Sequence, residues 1–223
     1  MFRNFYRWLD DRFSIGPAWE DIAVHPAPPH VNPKYSNWAF IYCLGGITFF
    51  LVVLQILTGI FLMMYYVPDV NDAYISVKYI EDTASFGSIV RGMHHWGASA
   101  SLVFIFMHTL RVFYTGSYKN PRELNWIVGV LLLLVLLLFG FTGYLLPWDQ
   151  KAYWATQVGV NIADSLPILG PWIKSLLVGG AGVNAMTIPR FFTIHVMILP
   201  AILMVLLVGH FLMIRRQSIS GPL

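Results

Sequence analysis

Only one cysteine, Cys43, occurs among 223 residues, and only 11% of them are charged. A single cysteine excludes an internal disulfide framework, and no Cys-x-x-Cys-His run is present for ordinary c-type haem attachment. Soluble domains carry about 25% charged residues, so a chain this poor in charge is not built for water. Basic and acidic residues nearly balance, at 14 and 11 for a net charge of +3. No stretch combines basic and aromatic residues in a way that suggests nucleic acid, so the basic excess belongs to membrane topology. A cleavable signal is also missing, because the first apolar run is long, lies well inside the chain and lacks a small-residue cleavage site.

What is present is apolar: 57% of the residues are hydrophobic. Four stretches, about 38–66, 92–114, 124–146 and 189–214, each come near or exceed the roughly 20 residues needed to span a bilayer. The expected fold is all-α, an integral membrane four-helix bundle over 38–214, with a tail at 215–223. Residues 1–37 precede it. There Phe2, Phe5, Tyr6, Leu9 and Phe13 recur at helical spacing opposite Arg3, Arg7, Asp10 and Asp11, the pattern of an amphipathic helix on the membrane surface. Pro26, Pro28, Pro29 and Pro33 then make a rigid connector. With both termini inside, the cytoplasmic side receives nine basic residues and the outer side five, which favours that orientation.

Four histidines interrupt the second and fourth apolar stretches. His94 and His108 are 14 residues apart, His195 and His210 are 15. At about 1.5 Å per residue each pair spans about 21 to 23 Å, most of a bilayer core. At about 100° per residue the two steps return to within about 40° and 60° of the starting face. Each helix therefore carries an upper and a lower imidazole. Two such helices facing one another can clamp two flat metal cofactors, and haem is the natural candidate because its iron takes two axial ligands across a plane. Each ionisable group costs on the order of a few kcal/mol to place in lipid without a partner. The same histidines admit two other readings: a di-haem membrane anchor of a dehydrogenase or hydrogenase, or a transporter subunit with proton relays.

Glycines repeat the step. Gly45 and Gly59 are 14 apart in the first stretch, as are Gly129 and Gly143 in the third. A glycine removes a side chain where a large flat ring must approach the backbone, so the two pairs echo the two cofactor levels. His95 is about 140° out of phase with His108 and is the poorer ligand. Arg91 at one end, and Arg111 and Arg215 at the other, are candidates to pair haem propionates, or else interfacial anchors. Pro121 suits a helix start. Pro200, between His195 and His210, should kink its helix and free a carbonyl near Val196. The loop that follows Gln150, through Gly182, has amphipathic pieces punctuated by Pro167, Gly170 and Pro171, is too long for a plain connection and reads as a lid or docking surface.

These residues resemble the cytochrome b6 type of haem subunit, related to the N-terminal half of cytochrome b. The resemblance runs over nearly the whole chain: Tyr42-Cys43-Leu44-Gly45-Gly46-Ile47-Thr48, the His94 to His108 spacing, Pro121-Arg122-Glu123-Leu124, Gly143 through Pro147-Trp148-Asp149, and Arg216-Gln217-Ser218-Ile219-Ser220-Gly221-Pro222-Leu223. It implies that His94 and His195 ligate a lower-potential haem b near the outer face, and His108 and His210 a higher-potential haem b near the cytoplasmic face. It also implies a third haem, of type c, held by one thioether bond at Cys43. The segment Met63-Met64-Tyr65-Tyr66-Val67-Pro68-Asp69 and the paired His94-His95 look more like bacterial menaquinol-oxidising relatives than the plastoquinol enzymes of oxygenic photosynthesis.

The family oxidises quinol at the outer face of a dimeric complex with a Rieske iron-sulfur protein and a c-type cytochrome. One electron crosses this subunit to a quinone site inside, and protons are released outside. Moving that charge costs about 2.3 kcal/mol per 100 mV, so the inner haem must hold the higher potential. The helices that complete the outer quinol pocket are absent here, which implies a separate subunit-IV-like chain. This chain's expected share of that pocket is Phe139, Thr142, Gly143 and Tyr144, with Trp148 and Lys151. The expected location is the bacterial cytoplasmic membrane.

Overall fold

In the computed structural model residues 43–180 and 182–217 are described. The expected surface helix and proline-rich connector of residues 1–37, and the tail from Ser218, lie outside the described residues. Among the described residues eight α-helices follow one another: α1 Leu44–Met63, α2 Ala73–Asp82, α3 Gly87–Tyr114, α4 Glu123–Leu145, α5 Gln150–Asp164, α6 Gly170–Val178, α7 Thr187–Thr193 and α8 Leu199–Gln217. A π-helical turn, Ile194–Ile198, joins α7 to α8. No strand occurs among the described residues.

Four helical segments are long and apolar enough to cross a membrane: Leu44–Met63, Gly87–Tyr114, Glu123–Leu145 and Thr187–Gln217. In each, only 17% of the most apolar window is buried within the chain. The remaining apolar surface has lipid, other subunits or a bound group as its natural neighbour. The protein's own core is a thin layer halfway along the bundle, where Val52, Ile105, Leu132, Val135, Leu136, Leu199 and Leu203 meet. Helix α1 lies mainly along α3, and α4 along α8. That pairing sets the two glycine-bearing helices behind the two histidine-bearing ones.

The second span, α3, begins five residues before its sequence estimate, because Phe86 at φ 60° turns the chain sharply out of α2's exit. Pro121 sits before α4 rather than in its first turn, after a cis peptide from Asn120. The long loop folds as α5 and α6, which cap the α4–α7 end. Asp149 starts α5 by accepting a hydrogen bond from the Ala152 amide at 2.8 Å. Gly179 ends α6 in the left-handed region at φ 80°, as a glycine C-cap does. Leu145, Val160, Val178 and Phe191 form a second small core beneath this cap. At the opposite end Arg122 donates to the Gln217 carbonyl at 3.2 Å, and Gln217 Nε2 to the Pro121 carbonyl at 2.9 Å. These bonds tie the start of α4 to the end of α8.

Pro200 acts upstream of itself. It cannot donate to the Val196 carbonyl, and the backbone widens there into the π-turn. A π-turn takes up one extra residue, which accounts for a 15-residue step between His195 and His210 where the other pair has 14. The extra residue removes about 100° from the count, so both helices present their histidines with the same phase.

Candidate haem sites

Each of the four histidines rests against one glycine of the helix behind it. A Cβ placed on Gly59 would stand 3.3 Å from His94 Cε1, and one on Gly143 only 2.8 Å from His195 Cε1. At the other level the corresponding distances are 3.1 Å from Gly45 to His108 and 3.6 Å from Gly129 to His210. The atoms nearest each absent side chain belong to an imidazole, tightly at Gly143, Gly45 and Gly59 and at ordinary contact distance at Gly129. Seating the ring on bare backbone fixes its orientation toward the space between α3 and α8.

His94 and His195 face one another with ring centroids 6.4 Å apart at 67°. Two metal–imidazole bonds of about 2 Å each, with the half-width of each ring, fill that separation. His108 and His210 are electrostatic neighbours at the lower level. Among the described residues no three His, Cys, Asp or Glu side chains gather in one place. Each level therefore offers two imidazoles and no carboxylate or thiolate, the donor set of an axial pair rather than of a cage for a bare ion. The residues fit haem.

Two threonines address the upper pair. Thr58 Oγ1 donates to the Leu54 carbonyl at 2.7 Å and lies 2.9 Å from His94 Nδ1. Thr142 Oγ1 donates to the Leu138 carbonyl at 2.8 Å and lies 2.8 Å from His195 Nδ1. A hydroxyl has one proton, so each threonine accepts from its histidine. The Nδ1 atoms carry the protons and the Nε2 lone pairs are left to face a metal. At the lower level His210 Nδ1 is buried, turned toward the Asn125 backbone without meeting hydrogen-bond geometry.

The other expected site residues divide. Phe139 lies edge-on to His195, with centroids 5.4 Å apart, so Phe139, Thr142 and Gly143 all converge on that ring. Tyr144 is exposed. Trp148 and Lys151 line a cleft of about 490 Å³ with Tyr74, Asp149 and Gln150. Tyr74 was not legible beforehand, since only tertiary packing brings α2 under the start of α5. Arg91 bonds Glu81 of α2 at 2.9 Å, because α2 packs against the first turns of α3. Arg111 and Arg215 stand in the last turns of α3 and α8, beside the lower histidines. Cys43 is exposed, immediately before α1 and two residues from Gly45. His95 is exposed and packs on Trp96. Thr58 escaped sequence analysis, although a signal existed: Thr-Gly stands at both glycines of the upper level, Thr58-Gly59 and Thr142-Gly143.

The family profile for Cytochrome b/b6/petB matches residues 30–218. The menaquinol:cytochrome c reductase cytochrome b subunit of Geobacillus thermodenitrificans is 58% identical over 224 residues, covering 100% of both chains. Cytochrome b6 of Heliomicrobium gestii is 46% identical, over 97% of this chain and 100% of its own. A chain of a hyperthermophilic respiratory complex III superposes with a TM-score of 0.81 at 32% identity over 97% of this chain. This chain spans 56% of that longer one. Such a match, over the same residues that hold the paired imidazoles, means that the chain belongs to the cytochrome b/b6 family, whose members are multi-pass membrane proteins that carry b haems and bind quinone.

Proposed function

We propose that this chain is the cytochrome b subunit of a menaquinol:cytochrome c reductase. The observation that carries the reading is the seating of four imidazoles on four glycines at two depths. In it His94 and His195 hold one haem b, and His108 and His210 the other. Bound there, the haems supply one-electron transfer across the membrane. The chain's own residues orient the ligands: α1 and α4 provide the bare backbone, and the mid-bundle core keeps α3 and α8 at fixed separation. The relatives that are menaquinol:cytochrome c reductase subunits support menaquinol as electron donor and a c-type cytochrome as acceptor. A Rieske protein and a subunit-IV-like chain complete a dimeric complex, the latter supplying further walls of the quinol pocket. The α5–α6 end faces outward, both termini face the cytoplasm, and Arg111 and Arg215 serve the propionates of the lower haem.

Cys43 holds a further haem c by one thioether bond. Its exposed thiol at the lower end of α1, near the Gly45–His108 contact, supports this. The test is haem staining of the purified complex on a denaturing gel, with acid-acetone extraction and a pyridine haemochrome spectrum. Colour that stays on the 25.3 kDa band and disappears in Cys43→Ala is expected. His94→Ala and His195→Ala should remove the same b haem, and His108→Ala and His210→Ala the other. Loss of different haems within one pair would overturn the ligation scheme.

A further inference from the structure

We propose that Thr58 and Thr142 are positioning residues that hold the redox potential of the upper haem below that of the lower one, by accepting the Nδ1 protons of its two ligands. This rests on the ligation proposed above and adds what distinguishes the two levels.

Both threonines occupy the same place: one residue before the glycine on which the ring sits. Both spend their own proton on a carbonyl one turn back, so both are committed acceptors. They are 5% and 3% exposed, which keeps water from replacing them. The lower level breaks the pattern. Leu44 precedes Gly45 and Val128 precedes Gly129, so no hydroxyl stands at the equivalent position. His210 Nδ1 is buried without a bond among the described residues.

The chemical consequence has a sign. An imidazole that donates from Nδ1 to an acceptor becomes more basic at Nε2. A more basic ligand stabilises ferric over ferrous iron and lowers the potential. Two such hydroxyl acceptors on one haem, and none on the other, where His210 Nδ1 has only the Asn125 backbone beside it short of hydrogen-bond geometry, place the lower potential at the upper level. His94 has the Gln55 carbonyl beside its ring as a second acceptor, whereas Thr142 is the acceptor for His195, so Thr142 carries the larger effect.

The test is a redox titration of the b haems in the purified complex, comparing wild type with Thr142→Val, Thr58→Val and the two serine variants. Valine keeps the volume and removes the acceptor; serine restores it. Thr142→Val is expected to raise one b-type wave, increasing its reduced-to-oxidised ratio about tenfold at fixed ambient potential, or about 59 mV for one electron. Thr58→Val moves the same wave upward by less, and both serine variants stay within about twofold of wild type. If neither wave moves, if both move equally, or if serine behaves as valine, the threonines do not tune the haem. If Thr142→Val does not keep its haem, the other variants carry the titration, and proton ENDOR on the ferric wild type reads the Nδ1 protons directly. Hydrogen-bonded protons on one b haem only are expected; equal signals from both overturn the proposal. A wild type without two b-type waves would instead overturn the ligation reading itself.

Discussion

Gly143→Ala is the sharpest perturbation of the haem sites. The new Cβ would stand 2.8 Å from His195 Cε1, about 0.6 Å inside the 3.4 Å at which ordinary contact begins. The ring has nowhere easy to go. Thr142 holds its Nδ1 at 2.8 Å and Phe139 closes one side at 5.4 Å between centroids. Overpacking of this kind costs about 1–3 kcal/mol, while alanine in a helix interior returns about 1 kcal/mol relative to glycine. The fold itself therefore survives, and the strain falls on the ligand. We expect the upper haem's affinity to drop by about 10- to 100-fold, with the lower haem retained. Haem per polypeptide, with a redox titration to identify the missing wave, reads this directly. The other three glycines supply a graded control. Gly45→Ala, at 3.1 Å, should weaken the lower haem less severely, and Gly59→Ala, at 3.3 Å, should weaken the upper haem only slightly. Gly129→Ala, at 3.6 Å, should leave both haems in place and be neutral or up to about 1 kcal/mol more stable. If Gly129→Ala loses haem while Gly143→Ala keeps both, the glycine-seat reasoning is wrong.

Further outcomes follow from other contacts. His95→Ala should retain both b haems in a pyridine haemochrome assay, in contrast to His94→Ala, because the His95 ring is exposed against Trp96. Deleting one residue between Ala201 and Gly209 should rotate His210 by about 100° and remove the lower b haem, visible as the loss of one wave. Glu81→Gln should change thermal stability by less than about 1 kcal/mol and leave haem content unchanged, since its pair with Arg91 is partly exposed. Tyr66 donates to the Leu146 carbonyl at 2.7 Å, and Tyr66→Phe should cost about 1 kcal/mol. Burial pushes the Tyr66 phenol well above its ordinary 10.0, so its stabilisation is full below pH 10 and declines as pH rises beyond it. The wild-type unfolding midpoint should therefore fall between pH 10 and 11 more steeply than that of Tyr66→Phe.

Much of this was legible in the chain because its solvent is a bilayer. Low charge, four apolar stretches and ionisable residues at fixed depth are strong signals when every misplaced polar group costs several kcal/mol. The glycine repeat of 14 residues was equally visible and read as room for a flat ring, but the neighbour of each glycine was not legible. Spacing placed Gly45, Gly59, Gly129 and Gly143 at two levels; only packing showed that each one receives a particular imidazole. Arg91 illustrates the opposite case. A basic residue at a helix end does not announce its protein partner, and the carboxylate that engages it comes from α2, a separate helix.

The sequence by itself determined the four spans, the two depths and the identity of the four candidate ligands, since hydropathy and helical period act locally along the chain. Tertiary structure decided what depends on contacts between distant segments. It chose which glycine lies under which ring, set Thr58 and Thr142 within hydrogen-bond distance of the upper pair's Nδ1 atoms, and set Tyr74 beside Trp148 and Lys151. It also settled the 15-residue step, because Pro200 opens a π-turn that absorbs one residue and brings His195 and His210 into phase. Pro200 marks locally where the helix is disturbed, but not that the disturbance is a π-turn; the phase that the turn restores is visible only where the two histidine-bearing helices face one another.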